Sequence, residues 1–268
     1  MEMLLLIAAL FVADPVTEHQ EALQLAQERG ERLYAHDRVA WVGTDEAMPE
    51  IKDRLSEGRG YVIHETDAGH VLTFFGDDDG VPYALWRATY RDETRVSGGL
   101  IERDSVEAAF TQDELEVYAA RRLAIAHFFS NAKDEGLFFC DNTKSPNVAI
   151  LQPTERDASF QAYFMTPQHD LSLWPMGGHS RVTISPEGEA TEMRGFTKSC
   201  ISLGAGERKE GHTLVAMAVS HILDPVPTEI HVFTAIASGT DVMVIIDGEA
   251  WMVDGETITM SDIEPPRP

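Results

Sequence analysis

The densest gathering of reactive side chains in this chain lies between His179 and His231. Gly177-Gly178-His179-Ser180-Arg181 sets two glycines before an imidazole, and glycine accepts positive φ and leaves room for a close neighbour. Downstream, Ser220-His221-Ile222-Leu223-Asp224 runs into Pro225-Val226-Pro227-Thr228 and then Glu229-Ile230-His231-Val232-Phe233. If residues 229–236 are extended, alternation places Glu229, His231 and Phe233 on one face and Ile230 and Val232 on the other. A carboxylate and an imidazole so spaced could hold a divalent metal together with His221 or His179. The same pair would serve equally as a hydrogen-bonded couple at a sheet surface, because no HExxH or closely spaced histidine pair accompanies it.

Cys140 and Cys200 are the two cysteines. In an oxidising compartment an even pair points to one disulfide; in a reducing one, to buried thiols. A nucleophilic role is the third option. Thr197-Lys198-Ser199-Cys200-Ile201-Ser202-Leu203 resembles the Ser-His-Gly-Cys-Ile-Arg signature of L,D-transpeptidases, which cross-link peptidoglycan, and His179 lies upstream at a separation similar to that of the family's catalytic histidine. That resemblance, confined to a short segment, implies a catalytic pair of His179 and Cys200. It departs from the signature at Lys198, Ser199 and Ser202, and at Ser180 after the histidine. Lys198 could still lend a thiolate some of the positive surroundings it needs.

A broader resemblance covers most of the chain. The Gly-Gly-His-Ser-Arg segment, residues 196–200, the Pro-Thr-Glu-Ile-His-Val-Phe segment and Trp251 within a terminal hairpin are similar to an uncharacterised group of predicted exported bacterial proteins. It implies an envelope location and no particular activity or cofactor.

Other chemistries lack their motifs. There is no Gly-x-Ser-x-Gly elbow, phosphate-binding loop or dinucleotide fingerprint. Asp77-Asp78-Asp79-Gly80 would need carboxylates where a calcium loop's register puts Phe75 and Trp86, so it is a solvated turn. Trp41 and Trp174 could line a pocket, although core packing is the commoner use of such rings.

The elements that must position these groups follow from period and punctuation. Residues 18–36 carry a helical stripe, a polar connector follows through Thr44-Asp45-Glu46 and Pro49, and a short helix ends near Leu55. From Gly60 the period changes to two, giving a hairpin around Asp67-Ala68-Gly69 and two further strands, 83–90 and 95–101. Thr111-Gln112-Asp113-Glu114 spells a capping box for a helix to about Asn131, and Gly136 follows as a stop. Beyond it, short segments at 137–140, 147–151, 160–165, 181–184, 190–196, 213–219, 229–236, 241–246, 250–253 and 257–260 all read as strands. The fold class expected is α+β: a helix-plus-hairpin half over 14–136, then an antiparallel β-rich sheet or sandwich half over 137–262, with a loose tail at 263–268.

Charge and the amino terminus bound the function. Forty-five acidic against 21 basic residues give −24, which repels phosphate backbones and anionic lipid. Nucleic-acid binding is therefore disfavoured. Residues 4–13 form an apolar run ended by Asp14-Pro15, too short to cross a bilayer and of the length of a secretory signal core. Residues 1–13 are thus expected to be a signal peptide, although Met1-Glu2-Met3 is acidic where such signals are basic. The expected protein is a periplasmic or secreted envelope protein that binds an unknown ligand or envelope partner through its β-rich half, without a membrane span. The alternative is a hydrolase or transpeptidase using His179 with Cys200, or a metal on Glu229, His231 and His221. Intact-mass measurement of the protein from its host is expected to find a chain beginning at Asp14 and lacking both thiol hydrogens; a chain retaining Met1 would exclude cleavage.

Overall fold

The computed structural model describes residues 15–140, 145–204 and 214–261. The signal segment 1–13 and the tail 263–268 lie outside them. A helical turn, α1 (Pro15–Glu18), leads into α2 (Gln20–Ile51), a helix of 32 residues. The connector expected at residues 44–49 is helical. Leu33, Val39, Ala40, Ala47 and Ile51 keep the helical period on the buried side, while Asp45 and Pro49 face solvent. Thr44 bonds back to the Ala40 carbonyl at 2.6 Å, and Pro49 falls in the last turn, where its missing N–H leaves a single carbonyl, that of the exposed Asp45, without a helical donor.

Strands β1 (Gly58–Thr66), β2 (Gly69–Asp78), β3 (Val81–Arg91) and β4 (Thr94–Leu100) form an antiparallel meander in that order. Asp79 and Gly80, both at positive φ, make the tight turn between β2 and β3, with Asp77 accepting from the Gly80 N–H at 2.7 Å. Helix α3 (Gln112–Asn131) opens on the expected capping box: the Thr111 hydroxyl accepts from the Glu114 N–H and the Glu114 carboxylate from the Thr111 N–H.

A second antiparallel sheet has the order β5 (Asn147–Leu151), β6 (Phe160–Met165), β8 (Ser180–Ile184), β9 (Ala190–Gly195). Between β6 and β8, β7 (Leu173–Pro175) pairs with the distant β10 (Ser202–Gly204). The third sheet runs β11 (Ala216–Ser220), β12 (Asp241–Ile246), β13 (Glu249–Val253), β14 (Ile258–Met260). Residues 137–140 form no strand.

One expectation is overturned with consequences. Residues 229–236 are not a strand but most of a helix, α4 (Glu229–Ser238), and the crossover it makes leaves β11 and β12 parallel. Its β-branched and aromatic residues resemble a strand because the helix is buried nearly all round, which erases the amphipathic period. The ends obey helix rules: Thr228 is extended, its N–H donates to His231 Nδ1 at 2.9 Å, and Gly239 closes the helix at φ 59°.

Three apolar clusters hold the layers together. One joins α2, α4 and the third sheet around Leu33, Ile230, Val232 and Trp251. Another places α3 between the first two sheets, with Val62 and Phe75 sharing a core with Phe128, Ile150 and Phe164. The last packs the second half of α2 on the meander through Leu72, Trp86 and Tyr90. Cys140 and Cys200 are bridged, their Cα atoms 5.4 Å apart across 60 residues, worth about 4 kcal/mol in the chain-entropy account.

Helices α2 and α4 approach closely at Gly30. A β-carbon there would stand 2.5 Å from Val232 Cβ and 2.9 Å from the Glu229 carbonyl oxygen. Gly30→Ala is expected to cost about 2–3 kcal/mol in urea unfolding despite alanine's better helix propensity. An unchanged or raised midpoint would refute the close crossing.

Candidate functional site

Each of the reactive residues singled out from the sequence is already engaged by a partner. Cys200 is bonded to Cys140, so no thiolate is present to act as a nucleophile. His179, just before β8, is buried; its Nδ1 accepts from the Thr166 N–H at 3.1 Å and its Nε2 donates to the Pro175 carbonyl at 2.8 Å. Burial pushes its pKa down to about 4, leaving a neutral brace between β6, β7 and β8. The two preceding glycines serve the disulfide. A β-carbon on Gly178, at φ 75°, would lie 2.8 Å from Cys140 Sγ, and one on Gly177 would lie 2.3 Å from the Ser199 carbonyl.

The expected metal set of Glu229, His231 and His221 is dispersed among other partners. On a helix Glu229 and His231 do not share a face, and each has its own contacts. The Glu229 carboxylate accepts from Arg181 at 2.6 Å and Tyr163 at 3.0 Å, with Arg29 at 3.8 Å. Burial pushes this carboxyl up, and Arg181 and Arg29 outweigh it, so it stays below the usual carboxylate range. Arg29 also meets Asp157 at 2.8 Å, and Arg181 meets Glu192 at 2.9 Å. His221 Nε2 lies 2.8 Å from Asp224, which Arg194 clasps with both terminal nitrogens. The His231 ring stands edge-on to His221 at 4.9 Å, neutral with its pKa pushed down to about 3 by burial. Among the described residues no group of three His, Cys, Asp or Glu side chains is arranged to hold a metal ion.

Beside His179 lies a cavity of about 310 Å³ between α2, Tyr61 on β1, the start of β5, and the β6–β7 connection. Helix α2 contributes Leu33, His36, Asp37 and Trp41; Trp174 and Phe233 come from β7 and α4. Trp41 is 51% exposed at the surface, and Arg38, tied to Glu93 by two hydrogen bonds, lies 5.8 Å from its ring centre. Trp41 and Trp174, for which core packing is the commoner expectation, both line the pocket, and Trp174 packs against the first apolar cluster as well.

Asp37 differs from every other buried carboxylate described above. Among the described residues it makes no hydrogen bond or ion pair, and burial pushes its pKa up to about 6 against a weak opposing pull from Arg38. Beside it, His36 is only 4% exposed, has no described hydrogen-bond partner, and is pushed down to about 3 by burial, with His70 and Arg32 adding to the effect. Burial, and then Asp37, raise the Tyr61 phenol to about 12. Sequence reasoning passed over Asp37 and His36. The usable signal was spacing: Leu33, Asp37 and Trp41 recur every four residues, a charge set in an apolar stripe.

No protein-family model, curated protein or solved structure matches this chain.

Because Asp37 binds its proton more tightly folded than unfolded, its ionisation weakens the fold as pH rises from 3.8 towards about 6, and the full cost is present above that. Asp37→Asn is expected to stabilise the protein at neutral pH by on the order of 1–3 kcal/mol, the gain fading in acid. Melting curves across that range would check it; a neutral-pH loss of stability would mean that Asp37 has a partner.

Proposed function

We propose that this chain is an exported, non-catalytic binding protein of the cell envelope, and that its ligand is a small molecule held in the cavity beside Asp37. One observation carries the reading: a partly buried carboxylate and an imidazole, both without partners among the described residues, face an aromatic-walled space large enough for a small ligand. A charge that costs stability in this way is expected where function requires it.

The engagement of the other reactive groups supports binding over catalysis. Cys200 is in a disulfide, His179 has both ring nitrogens committed, and His221 rests on an aspartate already taken by Arg194. The disulfide also favours an oxidising compartment. No described helix is long and apolar enough to cross a membrane. The strongly acidic balance argues against nucleic acid as the partner.

The test is a thermal-shift screen of small polar and amphiphilic solutes, followed by tryptophan fluorescence titration of each hit. Trp41 is exposed enough to be truncated without emptying a core. Trp41→Ala is expected to weaken true hits at least about tenfold, in line with the loss of an aromatic contact. Hits indifferent to Trp41, or a screen without hits, would count against the cavity as the binding site.

A further inference from the structure

Resting on the cavity as the ligand site, we infer that its ligand is a small organic cation, a protonated amine whose ammonium group pairs with Asp37 and bonds His36 while its carbon frame lies against Trp41 and Trp174.

Charge is the first argument. Among the described residues lining the cavity, Asp37 is the one carboxylate and there is no Lys or Arg. Both lining histidines, His36 and His179, are held neutral by burial. Among the described lining residues an anionic ligand would therefore find no counter-charge, and it would face Asp37. A neutral ligand could at most donate a hydrogen bond and would leave the charge itself uncompensated. An ammonium group removes that cost by supplying the missing partner.

The walls agree with the charge. Trp41, Tyr61, Trp174 and Phe233 present aromatic rings, and the faces of such rings attract cations, most strongly once water has been excluded. Neutral His36 offers a ring nitrogen that can accept an N–H. That acceptor favours an amine bearing N–H groups over a quaternary ammonium, which has none to donate. The cavity volume of about 310 Å³ lies at the small end of ligand sites, which fits a free small molecule. The protein's −24 charge draws cations towards the surface but does not explain selection inside the cavity.

Binding of this kind depends on pH. The groups bearing on Asp37 are Arg38 and His36 from its own helix, Tyr61 from β1 with Arg121 of α3 beyond it, and His179 across the cavity. The two histidines and the tyrosine stay neutral and the arginines charged through the range in which Asp37 titrates. Affinity should thus follow the carboxylate alone.

Titration of intrinsic tryptophan fluorescence with butylammonium, tetramethylammonium and the neutral isostere butan-1-ol tests the inference, in an amine-free buffer at moderate salt. Butylammonium is expected to bind at least about tenfold more tightly than butan-1-ol, with tetramethylammonium between them, and to weaken about tenfold from about pH 8 to about pH 5. Asp37→Asn should abolish the preference for the cation while remaining folded, and Asp37→Glu should restore part of it. Equal binding of butylammonium and butan-1-ol, or cation binding unchanged in Asp37→Asn, would overturn the inference while leaving the cavity a ligand site. So would a neutral or anionic screening hit that depends on Trp41 when neither cation binds. Failure of every compound to show Trp41-dependent binding would fall on the proposed function itself.

Discussion

The Glu229 carboxylate, buried between Arg181 and Arg29 with the Tyr163 hydroxyl on the same oxygen, ties together elements from opposite ends of the chain. Arg29 belongs to α2, Glu229 opens α4, and Arg181 and Tyr163 lie on neighbouring strands of the second sheet. Removing a single partner would leave an uncompensated charge in the interior, which typically costs 3–5 kcal/mol. The network therefore acts as a register mark more than as a source of net stability. Asp37 is about two helical turns beyond Arg29, and Phe233 about one turn beyond Glu229. Fixing the ion pairs thus fixes two walls of the cavity relative to one another.

Against that background the isolation of Asp37 has meaning. The interior offers several examples of how this sequence treats a buried acid: Glu229 receives two arginines, Asp157 receives Arg29 and Gln161, and Glu114 receives Arg87 and Thr73. Asp224 receives a bidentate arginine and a histidine. Asp37 receives none of these, although Arg38 is its neighbour in sequence; that guanidinium is committed to Glu93. The wall opposite is held by His179 and by the disulfide beneath it, so the empty space is bounded by braced elements.

Most of the fold was legible because its signals are local. The capping box at Thr111, the turn at Asp67-Ala68, and the strands 160–165 and 241–246 follow from short-range chemistry and appear as expected. The α+β class follows from them. Helix α4 was misread because a helix buried on all sides shows no period, although Thr228 and Gly239 marked its ends. The extension of α2 past His36 was missed because polar residues at 44–46 suggest a connector, whereas tertiary packing of Ala47 and Ile51 decides the matter. Of the site, the sequence offered Trp41 and Trp174 as core or pocket residues, and the Cys140–Cys200 bridge as one option beside buried thiols and a nucleophile. Spacing could mark the position of Asp37 as a charge in an apolar stripe, but not its isolation, which depends on what does not face it in three dimensions.

The crossing at Gly30 carries a consequence for how the polypeptide reaches its final form. Its two sides, near residues 30 and 232, are separated by most of the chain, as are the partners Arg29 and Glu229. The second half of the helix can pack on the meander as soon as that is made, but the first half must wait for its α4 contacts until the carboxy-terminal third has been synthesised. A polypeptide built this way closes the seam between its two ends last.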